Sequence, residues 1–270
     1  MSPIYVPGKV VLRKTWQPMD PDAAAYVTAV ETADTEPLEE RTKIAIDNFV
    51  LGCKADGIWS AIKASCILSG ARTLAGALVP LVGTAPTNVG PFVSGDYNRK
   101  TGLVGNGSTK YLNSNRAGNA DPQNSAHIAV YASTVSANTN RTFIGTTAAA
   151  NGQTIINGVN DGTLFCRSRS TDSISSPNIS GQGNTTGFKG AARTSSSQAN
   201  ARSGGASYTQ DQTSSAPTAE NYGIFARTPS SPALYSSDRL AFYSIGESLD
   251  LALLDARVTT LISAIGAAIP

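Results

Sequence analysis

The sequence predicts a mainly β fold: an antiparallel jelly-roll sandwich, preceded by an extended arm and a small helical region and followed by a C-terminal helix. Two observations predict it. From Tyr97 to Ile245, short apolar runs with a period near two alternate with Gly- and Asn-containing turns, as in antiparallel sandwiches. Before and after that part, apolar residues recur with a period near 3.6, as on helices that bury one face.

The composition argues against several classes of partner. The 270 residues have a formal net charge of +2, so we expect no nucleic-acid partner. No uninterrupted apolar run is long enough to cross a bilayer, and the first residues lack the apolar region of a signal peptide, so we expect no membrane insertion. Charged residues make up only 15%, which predicts a surface whose hydrogen bonds come mostly from uncharged Ser, Thr and Asn.

The three cysteines predict no covalent or metal framework. Cys53, Cys66 and Cys166 form an odd set and lack the close spacing of a metal site. We interpret them as buried free thiols, which fit assembly in a reducing cytoplasm.

The segment Met1–Pro21 is predicted to be an extended N-terminal arm. Its apolar triplets resemble strands, but the surrounding prolines prevent a helix and leave backbone groups unpaired. Two interpretations stay open. The arm is either a tail without a fixed place or an anchor that adds a strand to the sheet of a neighbouring subunit.

Residues 22–84 are predicted to form a helical lead-in. A first helix over Asp22–Glu31 is capped by Asp20 or Asp22, and a second begins in Thr35–Glu39, where acidic residues favour a helix N-terminus. A third helix is predicted from an apolar set at helical spacing, which consists of Ile58, Trp59, Ile62 and Cys66.

Residues 85–248 are predicted to form the sandwich. The stretch Asp96–Asn115 is predicted to be a β-hairpin, because Gly105-Asn106-Gly107 separates two strand-like runs and Asn-Gly tolerates positive φ. Recognition is expected in later loops such as Gly204–Glu220. The predicted strands are Gly102–Val104, Lys110–Asn113, His127–Ser133, Thr142–Thr146, Thr154–Asn157, Thr163–Arg167, Gly187–Thr194, Ala199–Arg202, Tyr222–Arg227 and Arg239–Ile245.

Residues 249–270 are predicted to form a helix capped by Ser248. We expect its apolar stripe to pack on the sandwich of its own subunit, the alternative being contact with neighbouring chains around a symmetry axis. The stripe consists of Leu249, Leu253, Leu254, Val258, Leu261, Ile262 and Ile265.

Several stretches between Ala45 and Leu261 resemble one type of bacteriophage virion protein. Ala45–Ala64 contains the pattern DGIW, which in that family precedes a domain similar to concanavalin A-like lectins and laminin G modules. The stretch GLVGNGSTKYL resembles an early strand pair of such domains, and NYGIFARTPSSPALYSSDRLAFYSIGESL resembles their closing pattern. Two shorter matches are Leu78–Gly83 and Asn119–His127.

The resemblance implies a structural protein of the virion, displayed as a tail fibre, another tail component or a capsid decoration and assembled in the host cytoplasm. It implies attachment to other virion proteins through the arm and the helical region, and a lectin-like sandwich that contacts host glycans. Because virion positions are symmetric, we expect a homo-oligomer, with a trimer as the hypothesis.

No catalytic residue is predicted, and the chain is interpreted as non-enzymatic. A retaining glycosidase needs two carboxylates about 5–5.5 Å apart, and no predicted strand has two on one face. A virion-associated glycan-degrading enzyme is the alternative. The single histidine, His127, is interpreted as structural, because no GxSxG elbow accompanies it.

A glycan site needs an aromatic ring and polar partners at loop tips. Tyr208, Tyr222 and Tyr235 lie in or beside polar loops and are the candidate glycan contacts. Calcium is the one cofactor considered, with candidate loops at Asn157–Asp161 and Asn119–Asn124. Neither loop has an acidic calcium-binding pattern, so no cofactor or metal ligand is predicted.

Overall fold

The computed structural model describes residues 19–137, 139–146, 152–171, 174, 179–227 and 233–270. The predicted N-terminal arm lies outside the described residues up to residue 18, and Pro21 already belongs to the first helix. The described part folds as two antiparallel sheets packed face to face, with helices covering the outer side of one sheet.

The helix ends follow from capping chemistry. Asp20 caps the first helix, since its Oδ1 accepts from the Asp22 backbone N–H at 3.0 Å. The last helix is capped by Asp250 and not by the predicted Ser248, because the Asp250 carboxylate accepts from two backbone N–H groups of the first turn. The helices are α1 (Pro21–Asp34), α2 (Glu40–Ala55), α3 (Leu74–Ala77) and α4 (Leu251–Ala268).

Eight of the described strands form sheet A and six form sheet B. The strands are β1 (Ile62–Ile67), β2 (Thr87–Val89), β3 (Tyr97–Asn98), β4 (Gly102–Val104), β5 (Tyr111–Ala117), β6 (Ala126–Thr134), β7 (Arg141–Gly145), β8 (Gln153–Gly158), β9 (Leu164–Ser170), β10 (Gly187–Arg193), β11 (Gln198–Ser203), β12 (Ala206–Asp211), β13 (Asn221–Ile224) and β14 (Arg239–Gly246). Sheet A runs β12-β11-β10-β6-β14-β4-β3, with β1 also paired to β14, and sheet B runs β2-β5-β13-β7-β8-β9.

Two apolar cores lie on the two sides of sheet A. The inner core, between the sheets, contains Ile128 of sheet A and Ile224 of sheet B. The outer core, between sheet A and the helices, contains Phe242 of β14, Phe49 of α2 and Leu254 of α4. The predicted two-sheet sandwich is therefore confirmed, and its helices form a third layer.

α4 packs its apolar stripe into the outer core of its own subunit, as predicted. Leu253 departs from the predicted stripe because it is 37% exposed, and Leu249 precedes the helix. By length and composition alone α4 meets the requirements for a membrane span, with a mean hydropathy of 1.5. A core helix of this kind passes the same test, so the value by itself is weak evidence for a membrane.

Cys53, Cys66 and Cys166 are free and buried, as predicted. Burial in apolar surroundings raises the pKa of each thiol to about 12. All three are therefore protonated at neutral pH and pack as small apolar side chains.

The predicted hairpin within Asp96–Asn115 is wrong. β4 belongs to sheet A and β5 to sheet B, so the turn between them crosses from one sheet to the other. Asn106 shapes the crossing, because its Oδ1 accepts from the backbone N–H groups of residues 108–110. The N–H of Gly107 then bonds to the carbonyl of Ser236, which ties the turn to the chain entering β14.

The third predicted helix is also wrong. The chain passes through one turn of 3₁₀ helix at Trp59–Ala61 and continues as β1, which pairs with β14 in sheet A. The predicted helical lead-in is thus helical mainly up to Ala55, and its later part completes the sandwich. Every predicted strand overlaps an observed one, whereas β1, β2, β3 and β12 were not predicted as strands.

We expect Phe49→Ala to destabilise the whole fold. The Phe49 ring is 2% exposed and meets the Phe242 ring edge-on, with centroids 5.8 Å apart, so its removal leaves a cavity between α2 and sheet A. Urea denaturation should show a loss of about 3–5 kcal/mol in the free energy of unfolding. Ile44→Ala, on the same helix but 43% exposed, is the matched control and should lose less than about 1 kcal/mol. Equal losses would contradict the packing of α2 on sheet A.

Candidate functional site

A groove of about 350 Å³ lies between the outer face of the β11–β12 edge of sheet A and the start of α4. Its floor comes from sheet A and its wall from the segment that leads into α4. We name it the β11–β12 groove, and its lining residues are Thr194, Asn200, Ala201, Ser207, Thr209, Ser248, Leu249, Asp250, Leu251 and Ala252.

The floor of the groove follows from the hairpin that joins β11 to β12. Gly204 and Gly205 have φ values of 59° and 76°, the two positive values that a tight two-residue hairpin turn requires. This turn sets the register in which Asn200 faces Thr209. Because Ala199 and Ala201 point into the inner core, Asn200 and its partner point to the opposite, outer face.

Arg202 lies two residues after Asn200 on the same outer face of β11 and reaches Asp255 near the start of α4. Its Nε donates to Asp255 Oδ2 at 2.7 Å, and its Nη1 donates to Ser207 Oγ at 2.9 Å. This contact fixes β11 and β12 against α4 and places an ion pair next to the groove.

Asn200 is the lining residue with an unsatisfied polar atom. Its Oδ1 is buried and has no hydrogen-bond partner, while its Nδ2 makes a long contact of 3.5 Å with Thr194 Oγ1. A buried amide oxygen without a partner is costly, so a donor bound in the groove would stabilise it. Asp250 adds a carboxylate at the other side, where Oδ1 is already engaged as the helix cap.

The arrangement suits hydrogen bonding to a neutral, hydroxyl-rich ligand. The lining offers hydroxyl, amide and carboxylate groups that can donate to and accept from a ligand. Leu249 and Leu251 supply the apolar surface, and the lining contains no aromatic ring. It holds one carboxylate, Asp250, whereas glycosidic hydrolysis uses two.

The three tyrosines predicted as glycan contacts do not come together at this groove. Tyr208 lies in β12 between two groove residues, but its side chain points the other way and packs against the inner core. Tyr222 is 1% exposed, so its ring is not available to stack on a sugar. Tyr235 is half-buried beside Tyr111, with ring centroids 6.3 Å apart.

The predicted recognition segment Gly204–Glu220 contributes to the groove in an unexpected form. Its first half is β12, and the groove residues Ser207 and Thr209 come from that strand. Asn200 was missed because it lies in a predicted strand. The sequence did contain a signal, because Asn200 lies between Ala199 and Ala201 and therefore on the opposite face of the strand from them.

The two candidate calcium loops show no free cluster of carboxylates. Both oxygens of Asp121 are engaged by the guanidinium of Arg116, and Oδ1 of Asp161 accepts from the Thr163 N–H at 2.8 Å. In the described part of the chain, no three His, Cys, Asp or Glu side chains lie together in a way that could hold a metal ion.

A second groove, of about 340 Å³, lies beside Trp59, a residue of the third predicted helix. The Trp59 ring is half-buried, and its Nε1 donates to Asp22 Oδ2 at 3.1 Å. Lys54 pairs with the same carboxylate at 2.7 Å, so the indole is held by contacts between α1 and α2. These contacts explain a structural role for Trp59.

His127 is buried and structural, as interpreted from the sequence. Its Nδ1 lies 2.5 Å from the carbonyl oxygen of Glu247 and donates a hydrogen bond to it, so Nε2 accepts from the Ser244 hydroxyl at 2.8 Å. This tautomer is neutral, and burial lowers the pKa of His127 to about 4.

No protein-family model matches the chain, and no curated protein matches it at a significant level. Among solved structures, the binding domain of botulinum neurotoxin serotype D matches 77% of this chain and 52% of its own, with 12% identity and a TM-score of 0.50. A Trypanosoma rangeli sialidase mutant matches 82% and 39%, with 7% identity and a TM-score of 0.48. Domains LG4-5 of the mouse laminin alpha1 chain match 51% and 39%, with 14% identity and a TM-score of 0.36.

These similarities concern the fold. The chain spans about half the length of the botulinum domain and less of the other two structures. With two antiparallel sheets and a C-terminal helix, the described part of the chain has the predicted jelly-roll sandwich fold.

We expect stability to fall as the pH drops from 7 to 5, mainly through His127. The folded-state pKa of about 4 lies below the ordinary 6.5, so below pH 6.5 the unfolded chain binds a proton that the folded protein does not. The loss amounts to about 2 kcal/mol between pH 7 and pH 5. Urea denaturation at both pH values measures it. In His127→Gln, which places a neutral amide at this position, most of the difference should disappear. An unchanged pH difference in that variant would contradict a buried neutral histidine.

Proposed function

We propose that this protein is a non-enzymatic, lectin-like binding module that takes a neutral glycan in the β11–β12 groove. The observation that carries the proposal is the unpartnered, buried Oδ1 of Asn200 in a groove lined by hydroxyl groups. A concave site with a few fixed polar groups and some apolar surface is the usual form of a small-ligand site.

The chemistry of the groove favours sugar hydroxyls over charged ligands. Asp250 is the one charged residue in the lining, and the nearby charges of Arg202 and Asp255 neutralise each other at 2.7 Å. Sugar hydroxyls both donate and accept, so they match an amide oxygen, threonine and serine hydroxyls and a carboxylate. Leu249 and Leu251 would contact the apolar edge of a sugar ring.

The same lining supports binding over hydrolysis. A glycosidase of either stereochemistry places two carboxyl groups on opposite sides of the scissile bond. Asp250 is the one carboxylate in this groove, and it already caps α4. We therefore propose that the chain is not an enzyme, and a glycan-degrading activity becomes an outcome that the binding experiment can reveal.

We also propose that the module is part of a bacteriophage virion, on its surface or in its tail, assembled in the host cytoplasm. The support is the set of sequence motifs between Ala45 and Leu261, since the solved structures named above are not phage proteins. Attachment through the N-terminal arm and the helical region, and a trimeric state, belong to the same proposal. Density for this chain in a three-dimensional map of a phage particle would support the placement.

We expect the purified full chain to bind one or more neutral glycans on an array, and Asn200→Ala to weaken that binding about tenfold. Loss of the amide removes the groove's least committed acceptor, and a lost hydrogen bond of this kind is worth about 1–2 kcal/mol. Titration calorimetry with the best array ligand provides the measurement.

Gln198→Ala is the matched control, because Gln198 lies on the outer face of the same strand but outside the groove lining. Its affinity should equal that of the unchanged protein. Binding that is insensitive to Asn200→Ala would contradict this groove as the site, and binding nowhere on the array would contradict the lectin-like function. Release of shortened glycans during the titration would contradict the non-enzymatic assignment.

A further inference from the structure

The interior of the sandwich contains more buried cations than carboxylates. Charged side chains are seldom fully buried unless they are paired. In the described part of the chain, four cationic side chains have at most 1% exposure, and they are Arg141, Lys189, Arg193 and Arg169.

Three of these four cations have clear partners. Arg141 Nε donates to the buried Asp238 at 2.7 Å. Lys189 Nζ donates to the Gln182 carbonyl at 2.6 Å. Arg193 donates through Nε and Nη2 to one oxygen, the carbonyl of Ser168, at 2.8 and 2.6 Å. Its remaining nitrogen, Nη1, donates to the Gln212 carbonyl at 2.6 Å.

Arg169 is different. It has a φ of 54°, and it lies where the pairing of β8 with β9 shifts register between Gln153 and Ile155. Its Nη1 makes one long contact of 3.3 Å with the carbonyl of Asp121. Among the described residues, its Nε and Nη2 are buried and have no hydrogen-bond partner at normal geometry, although the Tyr222 hydroxyl lies close enough to interact with the guanidinium. Those two nitrogens form one edge of the guanidinium, an edge that can donate two hydrogen bonds to an anion.

The neighbouring charges do not neutralise Arg169. Among the described residues, Asp121 supplies the carboxylate next to Arg169, but both of its oxygens are engaged by Arg116. Arg193 is close enough to be repelled, because its pKa is lowered first by burial and then by the positive charge of Arg169. Two uncompensated guanidinium groups therefore share one dry region, which is costly without an anion.

A second, independent observation points to a missing ligand in the same region. Gln212 is 5% exposed, and neither its Oε1 nor its Nε2 has a hydrogen-bond partner among the described residues. The Arg193 guanidinium ties residue 212 to Ser168, the residue before Arg169, so these groups belong to one end of the sandwich.

We propose that a monatomic monovalent anion, chloride in ordinary solutions, is bound inside the sandwich by Nε and Nη2 of Arg169, with the Gln212 amide as a further donor. The neighbouring Arg193 shows the same geometry, since its Nε and Nη2 share a single oxygen atom. The bound anion compensates the two guanidinium groups and holds β9 against the segment that follows β12. This site is separate from the β11–β12 groove.

The first test compares melting temperatures with and without halide. The full chain is refolded in sodium gluconate, whose anion is too large for an enclosed site. Chloride or bromide is then added at constant ionic strength. We expect a rise of about 5–10 °C, the effect of a ligand at about a hundredfold excess over its Kd. Arg169→Gln should abolish the rise. Glutamine at this position adds no new backbone strain, because arginine already has positive φ there.

Arg167→Gln is the matched control, two residues earlier in β9. Arg167 lies over the ring of Phe165 at 4.8 Å and donates to Gln153 at 2.9 Å, so it belongs to a different cluster. Its halide-dependent rise should equal that of the unchanged protein. Equal melting temperatures of the unchanged protein in gluconate and in chloride would overturn the proposal.

The second test does not depend on any variant folding. Crystals of the unchanged protein grown in sodium bromide should show an anomalous bromine peak directly beside Nε and Nη2 of Arg169. Ordered water at that position, or a carboxylate of the chain itself on the guanidinium, with no anomalous peak, would overturn the proposal.

Discussion

The structure depends on the burial of both faces of β14. This strand pairs with β6 along one side and with β1 and β4 along the other. Its Tyr243 points into the inner core and its Phe242 into the outer core, and every residue of the strand after Arg239 is buried. The helices are therefore part of the same packed body as the sandwich. Without them the outer face of sheet A would be exposed.

This constraint also explains the position of the candidate site. α4 begins immediately after β14 and crosses the outer face of sheet A, where Leu251 and Leu254 are buried. The hairpin of β11 and β12 extends sheet A beyond the area that the helix covers. Its outer face keeps polar residues there, because α4 leaves this edge accessible. The groove is the remaining space between the start of α4 and that edge.

Local signals in the sequence predicted the local parts of the fold. Asp20 and the 3.6-residue period located α1 and α2, and the alternation in β6 and β14 located the central strands. The pairing of β4 could not be predicted, because Leu103 pairs with Leu240, far along the chain, and the Asn106 turn fits a crossing between sheets as well as a hairpin. β1 was taken for a helix, since a short apolar run fits both periods.

The candidate site depends on which side chains of a strand face outward and which face inward. A shift of one residue reverses that assignment, and the sequence determines such a shift poorly. Tyr208 and Thr209 are neighbours, yet only Thr209 faces the groove. The prediction from aromatic residues therefore selected a different face from that of the groove. Arg169 was missed for a related reason, because the register shift that turns it inward appears only when β8 and β9 are paired.

The most direct test of the central claim is to map the bound glycan on the protein by amide-resolved NMR. The chain, labelled with ¹⁵N, is titrated with the best array ligand. The account predicts saturable shift changes at residues 200, 207 and 209 of sheet A and at residues 250–252. Changes confined to the surroundings of Tyr235 or of the Trp59 groove would contradict it.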